Sequence, residues 1–194
     1  RKESSAASDV YKRQHKEILL KSLSNVRKRK IEYLEGDEKM LSIALGILIN
    51  KVLCCDEDKH IFYSESGQPK LINSNQYISF THGGKYAALA YARMPIGIDI
   101  EPIKSVNLQV AKHYFTSEEQ DWIYAGDTTR RFLELWTKKE SIAKIEGRGL
   151  TIPLSEISVL ENTSFQTDCC IIDQHVLSCA SNIPFKMNVK VVTI

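Results

Sequence analysis

The chain has 194 residues, of which 43% are apolar and 26% are charged, and its formal net charge is +2. This length can bury a sizeable core in one domain or in two small packed halves, and the composition excludes disordered and fibrous classes. The small net charge creates no overall field for a nucleic acid, and no apolar run is long enough to span a membrane. We therefore expect a globular monomer that binds neither nucleic acid nor membrane.

The first 14 residues differ in character from the rest of the chain. The run SSAASDVYKRQ, residues 4–14, resembles the translation of a sequencing adapter, and the alternative is a disordered tail rich in serine, alanine and lysine. We therefore leave residues 1–14 out of the fold prediction. The rest is predicted to form an N-terminal half over residues 15–96 and a C-terminal half over residues 97–194.

The N-terminal half is predicted to contain two helices followed by strands. Apolar spacing indicates a helix over residues 15–30 with a strongly basic end, and a second, central helix over residues 37–53. Alternating residues then predict strands at 77–81 and 86–92, joined by a turn that contains His82 and two glycines.

The next strand is predicted over residues 96–101, across the boundary between the two halves. A short helix is expected near residues 108–114, and Thr116 with Glu119 has the spacing of a capping box for the next helix. A long helix is then predicted over residues 128–146.

Further strands are predicted after that long helix, at residues 157–161, 169–172, 175–180 and 187–194. A long helix followed by strands thus occurs twice along the chain. The order predicts an α+β fold of two similar α/β halves in a pseudo-twofold arrangement, each with a long helix packed on a small, mainly antiparallel sheet.

The cysteines indicate neither a zinc site nor a disulfide framework. They form two adjacent pairs and one single residue, namely Cys54, Cys55, Cys169, Cys170 and Cys179. Their number is odd, and none of the spacings is typical of a structural zinc site. We expect free thiols and a reducing, cytoplasmic environment.

The strand Gly97–Glu101 has the sequence GIDIE and carries the first candidate site. Side chains alternate along a strand, so Ile98 and Ile100 share one face while Asp99 and Glu101 share the other. Two partly buried carboxylates one pleat apart repel each other unless a cation neutralises them, and such hard oxygen ligands suit Mg²⁺. The alternative is a solvated strand face.

The long helix carries the second candidate site, in the sequence FLELWTKKESIAK over residues 132–144. Trp136, Glu140 and Lys144 are four residues apart and therefore form one stripe on the helix. On this stripe, the Glu140 carboxylate can serve as a metal ligand or a base, and the Lys144 ammonium group can bind phosphate. The alternative is a surface salt bridge beside a core aromatic residue.

Together, GIDIE and the later pattern F-x-x-x-W-x-x-K-E-S-x-x-K resemble the 4′-phosphopantetheinyl transferase superfamily, in its longer, pseudo-dimeric, surfactin-synthetase-activating type. The resemblance runs from about Arg27 to the C-terminus and is strongest between Ile78 and Leu150. It implies transfer of the 4′-phosphopantetheine moiety of coenzyme A to a serine of an apo acyl or peptidyl carrier protein, with release of 3′,5′-ADP. The carrier can belong to fatty-acid, polyketide or nonribosomal peptide synthesis.

The resemblance also implies roles for individual residues. Asp99, Glu101 and Glu140 would hold Mg²⁺ with the diphosphate of coenzyme A. Asp99, Glu140 and Lys144 would form the catalytic group, with a carboxylate or a water on the metal as the expected base. The implied coenzyme A contacts are Arg27, Lys30, Gln68, Pro69, Thr81, His82 and Lys144.

The sequence departs from the family pattern at Gln68. The family's Gly-Lys-Pro stands here as Gly67-Gln68-Pro69, which predicts weaker coenzyme A binding unless Lys70 supplies the missing ammonium. A catalytically weakened homologue that acts as a carrier-protein or coenzyme A binding module is therefore the alternative function.

Overall fold

The computed structural model describes residues 19–147, 153–161 and 164–193. The predicted tail over residues 1–14 lies outside this part of the chain. Among the described residues, no helix combines the length and apolar character that a membrane span requires. The boundary between two halves at residue 96 stays a prediction.

After the helical residues 19–21, three helices follow: α1 (Asn25–Glu32), α2 (Gly36–Leu53) and α3 (Glu57–His60). The prediction of α2 is confirmed, but a continuous helix over residues 15–30 is wrong. The chain leaves the helical conformation before Ser24, whose Oγ accepts a hydrogen bond from the Arg27 N–H at 3.0 Å. A serine at this position favours a helix start over a helix interior, because its side chain replaces a missing backbone acceptor.

Four strands follow as two antiparallel hairpins: β1 (Ile61–Tyr63) with β2 (Pro69–Leu71), and β3 (Tyr77–Gly83) with β4 (Tyr86–Ala92). The first hairpin was not predicted, because three-residue strands are too short to show an alternating pattern. The predicted turn around His82 is also wrong. β3 continues through Gly83, so His82 lies within the strand and only two residues form the turn.

The C-terminal half is built around a second long helix and a three-stranded sheet. In chain order it contains β5 (Gly97–Pro102), a 3₁₀ turn (Leu108–Val110), α4 (Ala111–Tyr114), α5 (Ser117–Tyr124), α6 (Thr128–Glu146), a second 3₁₀ turn (Leu154–Glu156), β6 (Gln166–Ile172) and β7 (His175–Ser181). The capping box between Thr116 and Glu119 is confirmed, and Asp127 caps α6.

Two of the predicted C-terminal strands are wrong. Residues 157–161 form no strand, and the carbonyl groups of Leu154 and Ile157 accept hydrogen bonds from the Lys139 side chain instead. Residues 187–193 also form no strand, although Phe185 and Met187 pack against the core of the three-stranded sheet. Apolar residues in these segments thus pack on the core although their backbone does not pair with a strand of the sheet.

The C-terminal sheet is antiparallel with the strand order β5-β7-β6, and α6 packs on β5 and β7. In the N-terminal half, α2 packs against the β3–β4 hairpin. The α+β class with small antiparallel sheets is therefore confirmed. The pseudo-twofold relation between the halves remains a prediction.

The contact between α6 and β5 is close because residue 97 is glycine. A Cβ atom built on Gly97 would lie 1.8 Å from the backbone carbonyl oxygen of Ser141 on α6. The Ser141 hydroxyl group also donates a hydrogen bond to the Ser178 carbonyl on β7 at 3.0 Å. The helix that carries Glu140 and Lys144 is thus fixed directly against the strand that carries Asp99.

Candidate active site

Strand β5 separates its side chains as the sequence predicts. Ile98 and Ile100 are buried in an apolar cluster with Leu177 and Cys179 of β7. Asp99, on the opposite face, is buried with 6% exposure, and its side chain meets Lys144 of α6. The alternative of a solvated strand face is therefore excluded for Asp99.

The two carboxylate oxygens of Asp99 have different surroundings. Oδ1 accepts hydrogen bonds from Lys144 Nζ at 2.7 Å and from Thr81 Oγ1 at 2.9 Å. Oδ2 is buried and has no hydrogen-bond partner in the part of the chain that the structure describes. An unpartnered carboxylate oxygen is costly in a protein interior, so Oδ2 is available to a cation or a donor from a ligand.

Lys144 is held at both ends. Its Nζ also donates to the Ile98 carbonyl oxygen at 2.8 Å, while its own carbonyl oxygen accepts from Gln68 Nε2 at 2.9 Å. The ammonium group is therefore fixed between the two elements that form the site.

Glu101 and Glu140 lie near Asp99, and both carboxyl groups resist ionisation. Burial raises the pKa of Glu101, and the negative charge of Asp99 raises it further, while Lys104 and Lys144 oppose the shift. Burial likewise raises the pKa of Glu140, with a further contribution from Asp99, and Lys144 opposes the shift. The site therefore contains more negative charge than its ammonium groups neutralise.

These carboxylates match Mg²⁺ in ligand type but do not form a complete cage. Within residues 19–147, 153–161 and 164–193, no group of three or more His, Cys, Asp or Glu side chains is arranged to hold a metal ion. Mg²⁺ usually takes only one or two carboxylates together with water and substrate phosphates. Because the unpartnered Asp99 Oδ2 is a hard oxygen ligand, the residues present fit such an ion.

A cleft next to this group contains most of the predicted coenzyme A contacts. It has a volume of about 310 Å³, and its lining combines basic and apolar side chains. The lining residues are Arg27, Lys30, Leu45, Tyr63, Gly67, Pro69, Phe80, Thr81, His82 and Lys144. Gln68 is absent from this lining, and its amide group binds helix α6.

A larger, open cavity of about 590 Å³ lies at the start of α1, beside Asn50, Cys54 and Cys55. Its carboxylate Asp58 already accepts hydrogen bonds from the first backbone N–H groups of α1, at 2.7 and 2.9 Å. The cleft, in contrast, is lined by Thr81 and Lys144, which bind the carboxylate of Asp99, and Oδ2 of that carboxylate is the buried side-chain atom without a partner among the described residues. The chemistry therefore favours the smaller cleft.

Arg27 lines the cleft but is already paired. The residue is 2% exposed, and its guanidinium group contacts the buried Glu57 carboxylate at 2.5 Å. It also donates to Ser42 Oγ and Tyr63 Oη, each at 3.4 Å. The sequence could not identify Glu57 or Tyr63, because neither belongs to a motif and both lie at least 30 residues from Arg27.

The remaining cations of the cleft affect His82. The residue is exposed at the cleft, but partial desolvation lowers the pKa of its imidazole group, and the charges of Lys30 and Lys144 lower it further. The pKa of Lys30 is itself lowered by burial and then by Arg27. The cluster of positive charge therefore favours an anionic ligand.

Lys139, the first lysine of the K-E-S-x-x-K pattern, does not face the cleft. Its side chain is fully buried and forms an ion pair with Glu119 of α5 at 2.6 Å. Glu119 Oε1 also accepts a hydrogen bond from the Val159 N–H at 2.9 Å. Lys139 therefore joins α5, α6 and the segment after α6, a structural role that the spacing on α6 does not reveal.

Comparisons with known proteins place the chain in a family. The sequence model of the 4′-phosphopantetheinyl transferase superfamily matches residues 95–191, which include Asp99, Glu101, Glu140 and Lys144. The chain is 35% identical over 115 residues to 4′-phosphopantetheinyl transferase Sfp of Bacillus subtilis (strain 168), covering 57% of this chain and 51% of that protein.

A second relative covers more of the chain. The 4′-phosphopantetheinyl transferase gsp of Aneurinibacillus migulanus is 29% identical over 164 residues, covering 78% of this chain and 68% of that protein. The matched parts of these relatives thus range from about half to two thirds of their lengths. The chain belongs to the 4′-phosphopantetheinyl transferase superfamily.

Proposed function

We propose that the chain transfers the 4′-phosphopantetheine moiety of coenzyme A to a serine of an apo acyl or peptidyl carrier protein, with Mg²⁺ as cofactor and 3′,5′-ADP as leaving group. The names of the relatives support the transferase activity. The observation that carries the proposal is the contact between the basic cleft and the partly neutralised Asp99.

The cleft fits the charge distribution of coenzyme A. Lys30 and Lys144 supply positive charge for its phosphate groups, and both charges lower the pKa of the neighbouring His82. Because its pKa is lowered, His82 is predominantly neutral near pH 7 and binds phosphate through one imidazole N–H. Arg27 is already neutralised by Glu57, so we expect it to shape the cleft and add less net charge.

Asp99, Glu101 and Glu140 would hold the metal ion, with Asp99 contributing the oxygen that lacks a partner. When bound, Mg²⁺ neutralises charge on the diphosphate and on the departing phosphate group. The Mg²⁺ ion would then add to the positive charge that Lys144 and Lys104 supply to these carboxylates in the free chain.

In the proposed reaction, the serine hydroxyl oxygen of the carrier forms a bond to the β-phosphorus of coenzyme A. The bond from that phosphorus to the bridging diphosphate oxygen breaks, and 3′,5′-ADP leaves with the bonding electrons. The serine proton passes to a carboxylate oxygen of Glu140. General base catalysis requires a positioned group that accepts this proton, and Glu140 lies one helical turn from Lys144 on the same face of α6.

Lys144 has two functions in this scheme. Its ammonium group orients Asp99 by binding Oδ1, and the part of its surface that faces the cleft is available to a phosphate. Thr81 supports the same orientation, because its hydroxyl group also donates to Oδ1. Together they leave Oδ2 free.

The test is incubation with coenzyme A, Mg²⁺ and a panel of apo carrier proteins, followed by intact mass measurement of each carrier. We expect the mass of a carrier to rise by one phosphopantetheine group, and chelation of Mg²⁺ to abolish the reaction. Asp99→Asn should lose activity, while Asp121→Asn, the same change at an exposed site on α5, should keep it.

Absence of transfer to every carrier would overturn the proposal. If the chain then still bound coenzyme A or a carrier, the alternative of a binding module would be supported. Equal activity of the two asparagine variants would show that transfer does not use this site.

A further inference from the structure

Gln68 lies next to β2, and its backbone is fixed by the preceding turn. Its N–H donates to Ser64 Oγ at 3.1 Å, and its carbonyl oxygen accepts from the Ser64 N–H at 3.0 Å. The side chain therefore extends from an anchored backbone, and only its own rotamer freedom is lost when the amide group forms a hydrogen bond.

The amide group of Gln68 binds the end of α6. Nε2 donates to the carbonyl oxygens of Lys144 at 2.9 Å and of Ile145 at 3.3 Å. The last four carbonyl groups of a helix have no partner within it, so Gln68 supplies two of the missing donors. An amide nitrogen carries only two hydrogens, and both are used here, so none remains for a phosphate.

Gly147 leaves room for this contact. It ends α6 in the left-handed region with φ of 67°, and a Cβ atom built on it would lie 2.6 Å from Gln68 Oε1. Glycine at residue 147 thus ends the helix and also leaves the space that the Gln68 side chain occupies.

We propose that Gln68 is a positioning residue for Lys144 and that it acts on coenzyme A through Lys144 rather than by direct contact. This inference rests on the proposed function. Gln68 holds the Lys144 backbone from the N-terminal half, while Lys144 Nζ binds Ile98 and Asp99 of β5. The Gln68 amide group therefore fixes the position at which the Lys144 ammonium group binds the Asp99 carboxylate and lines the cleft.

The first test measures the position of Lys144 without any ligand. Each protein is treated with limiting acetic anhydride, and acetylation of each lysine is followed by mass spectrometry. Gln68→Met keeps the length but removes both donors, so acetylation of Lys144 should become several-fold faster. Gln68→Lys restores a donor for the helix carbonyls and should return Lys144 to the original rate.

Two lysines serve as internal standards in this test. Exposed Lys51 should react equally in all variants, and fully buried Lys139 should stay unreactive. An unchanged Lys144 rate in Gln68→Met would overturn the inference. Faster acetylation of Lys139 would also overturn it, because Gln68 would then support the whole fold.

The second test is a double-mutant cycle on coenzyme A binding in the presence of Mg²⁺, measured by calorimetry. Gln68→Met should weaken binding several-fold when Lys144 is present and change it little in the Lys144→Met background. Equal weakening in both backgrounds would show direct contact by Gln68 and overturn the inference. If the unmodified chain does not bind coenzyme A, the proposed function fails, while the acetylation result still decides whether Gln68 positions Lys144.

Discussion

Replacing Lys144 by methionine should destabilise the free chain, because Lys144 neutralises a buried carboxylate. The variant loses the hydrogen bonds from Nζ to Asp99 Oδ1 at 2.7 Å and to the Ile98 carbonyl at 2.8 Å. Among the described residues, Asp99, with 6% exposure, then keeps only the donor from Thr81. Methionine retains most of the apolar length of the side chain, so the change tests the ammonium group.

The size of the effect follows from the exposure of the pair. Breaking a fully buried pair costs about 3–5 kcal/mol, and one hydrogen bond to a charged group contributes about 1.5–3 kcal/mol. The Lys144 side chain is 29% exposed, so water can reach the vacated position and lessen the loss. We expect a loss of about 2 kcal/mol, equivalent to a fall of about 4–8 °C in Tm for a chain of this size.

The assay is urea unfolding without Mg²⁺ or coenzyme A, in a cycle with Asp99→Asn. In the asparagine background, Lys144→Met should cost less than about 1 kcal/mol, because no carboxylate is left uncompensated. Lys138→Met is the matched control, since Lys138 makes no ion pair within the described residues. An equal loss in both Asp99 backgrounds would refute the electrostatic explanation.

Three further predictions concern charged groups of the site and its support. Glu140→Gln should stabilise the free chain as pH rises above 4.5 through the raised pKa of Glu140, because ionising that carboxyl group opposes folding. Urea unfolding of both proteins between pH 4 and pH 8 measures the effect. A difference in unfolding free energy that stays constant with pH would contradict it. The pKa of His82, followed by NMR, should lie below 6.5 and should rise in Lys30→Gln. Because the folded pKa is lowered, His82 contributes stability that is lost as pH falls from 6.5 through the folded pKa. An unaltered His82 pKa in the variant would contradict the proposed effect of the Lys30 charge. Lys139→Met should cost about 3–5 kcal/mol in urea unfolding because it leaves Glu119 buried and unpaired, whereas a loss below about 1 kcal/mol would mean that the pair adds little.

Local periodicity predicted which candidate residues share a face of one element, whereas their proposed roles came from the resemblance to the family. Alternation along β5 separates Asp99 from the apolar core, and the four-residue spacing on α6 aligns Glu140 with Lys144, because both rules depend only on the geometry of one element. The capping box at the start of α5 is equally local. These predictions needed no knowledge of how the elements pack.

Contacts between distant residues could not be predicted in this way. Gln68 is 76 residues from Lys144, and Arg27 is 30 residues from Glu57, so no periodic pattern relates the members of either pair. The resemblance to the family pattern therefore assigned Gln68 to coenzyme A, and the contact with α6 was not foreseen. Lys139 also lies one residue from Glu140 but faces the interior, because successive helical residues point in directions about 100° apart.

The close approach at Gly97 makes the geometry of the site depend on a single missing side chain. An alanine there would have to separate β5 from α6, because its Cβ atom and the Ser141 carbonyl oxygen cannot both fit 1.8 Å apart. That separation would move Asp99 away from Glu140 and Lys144 together, without altering any of the three. Gly97 therefore acts as a spacer that sets the distance between Asp99 and the two α6 residues, and one added methyl group far from solvent would change that distance without replacing any of the three.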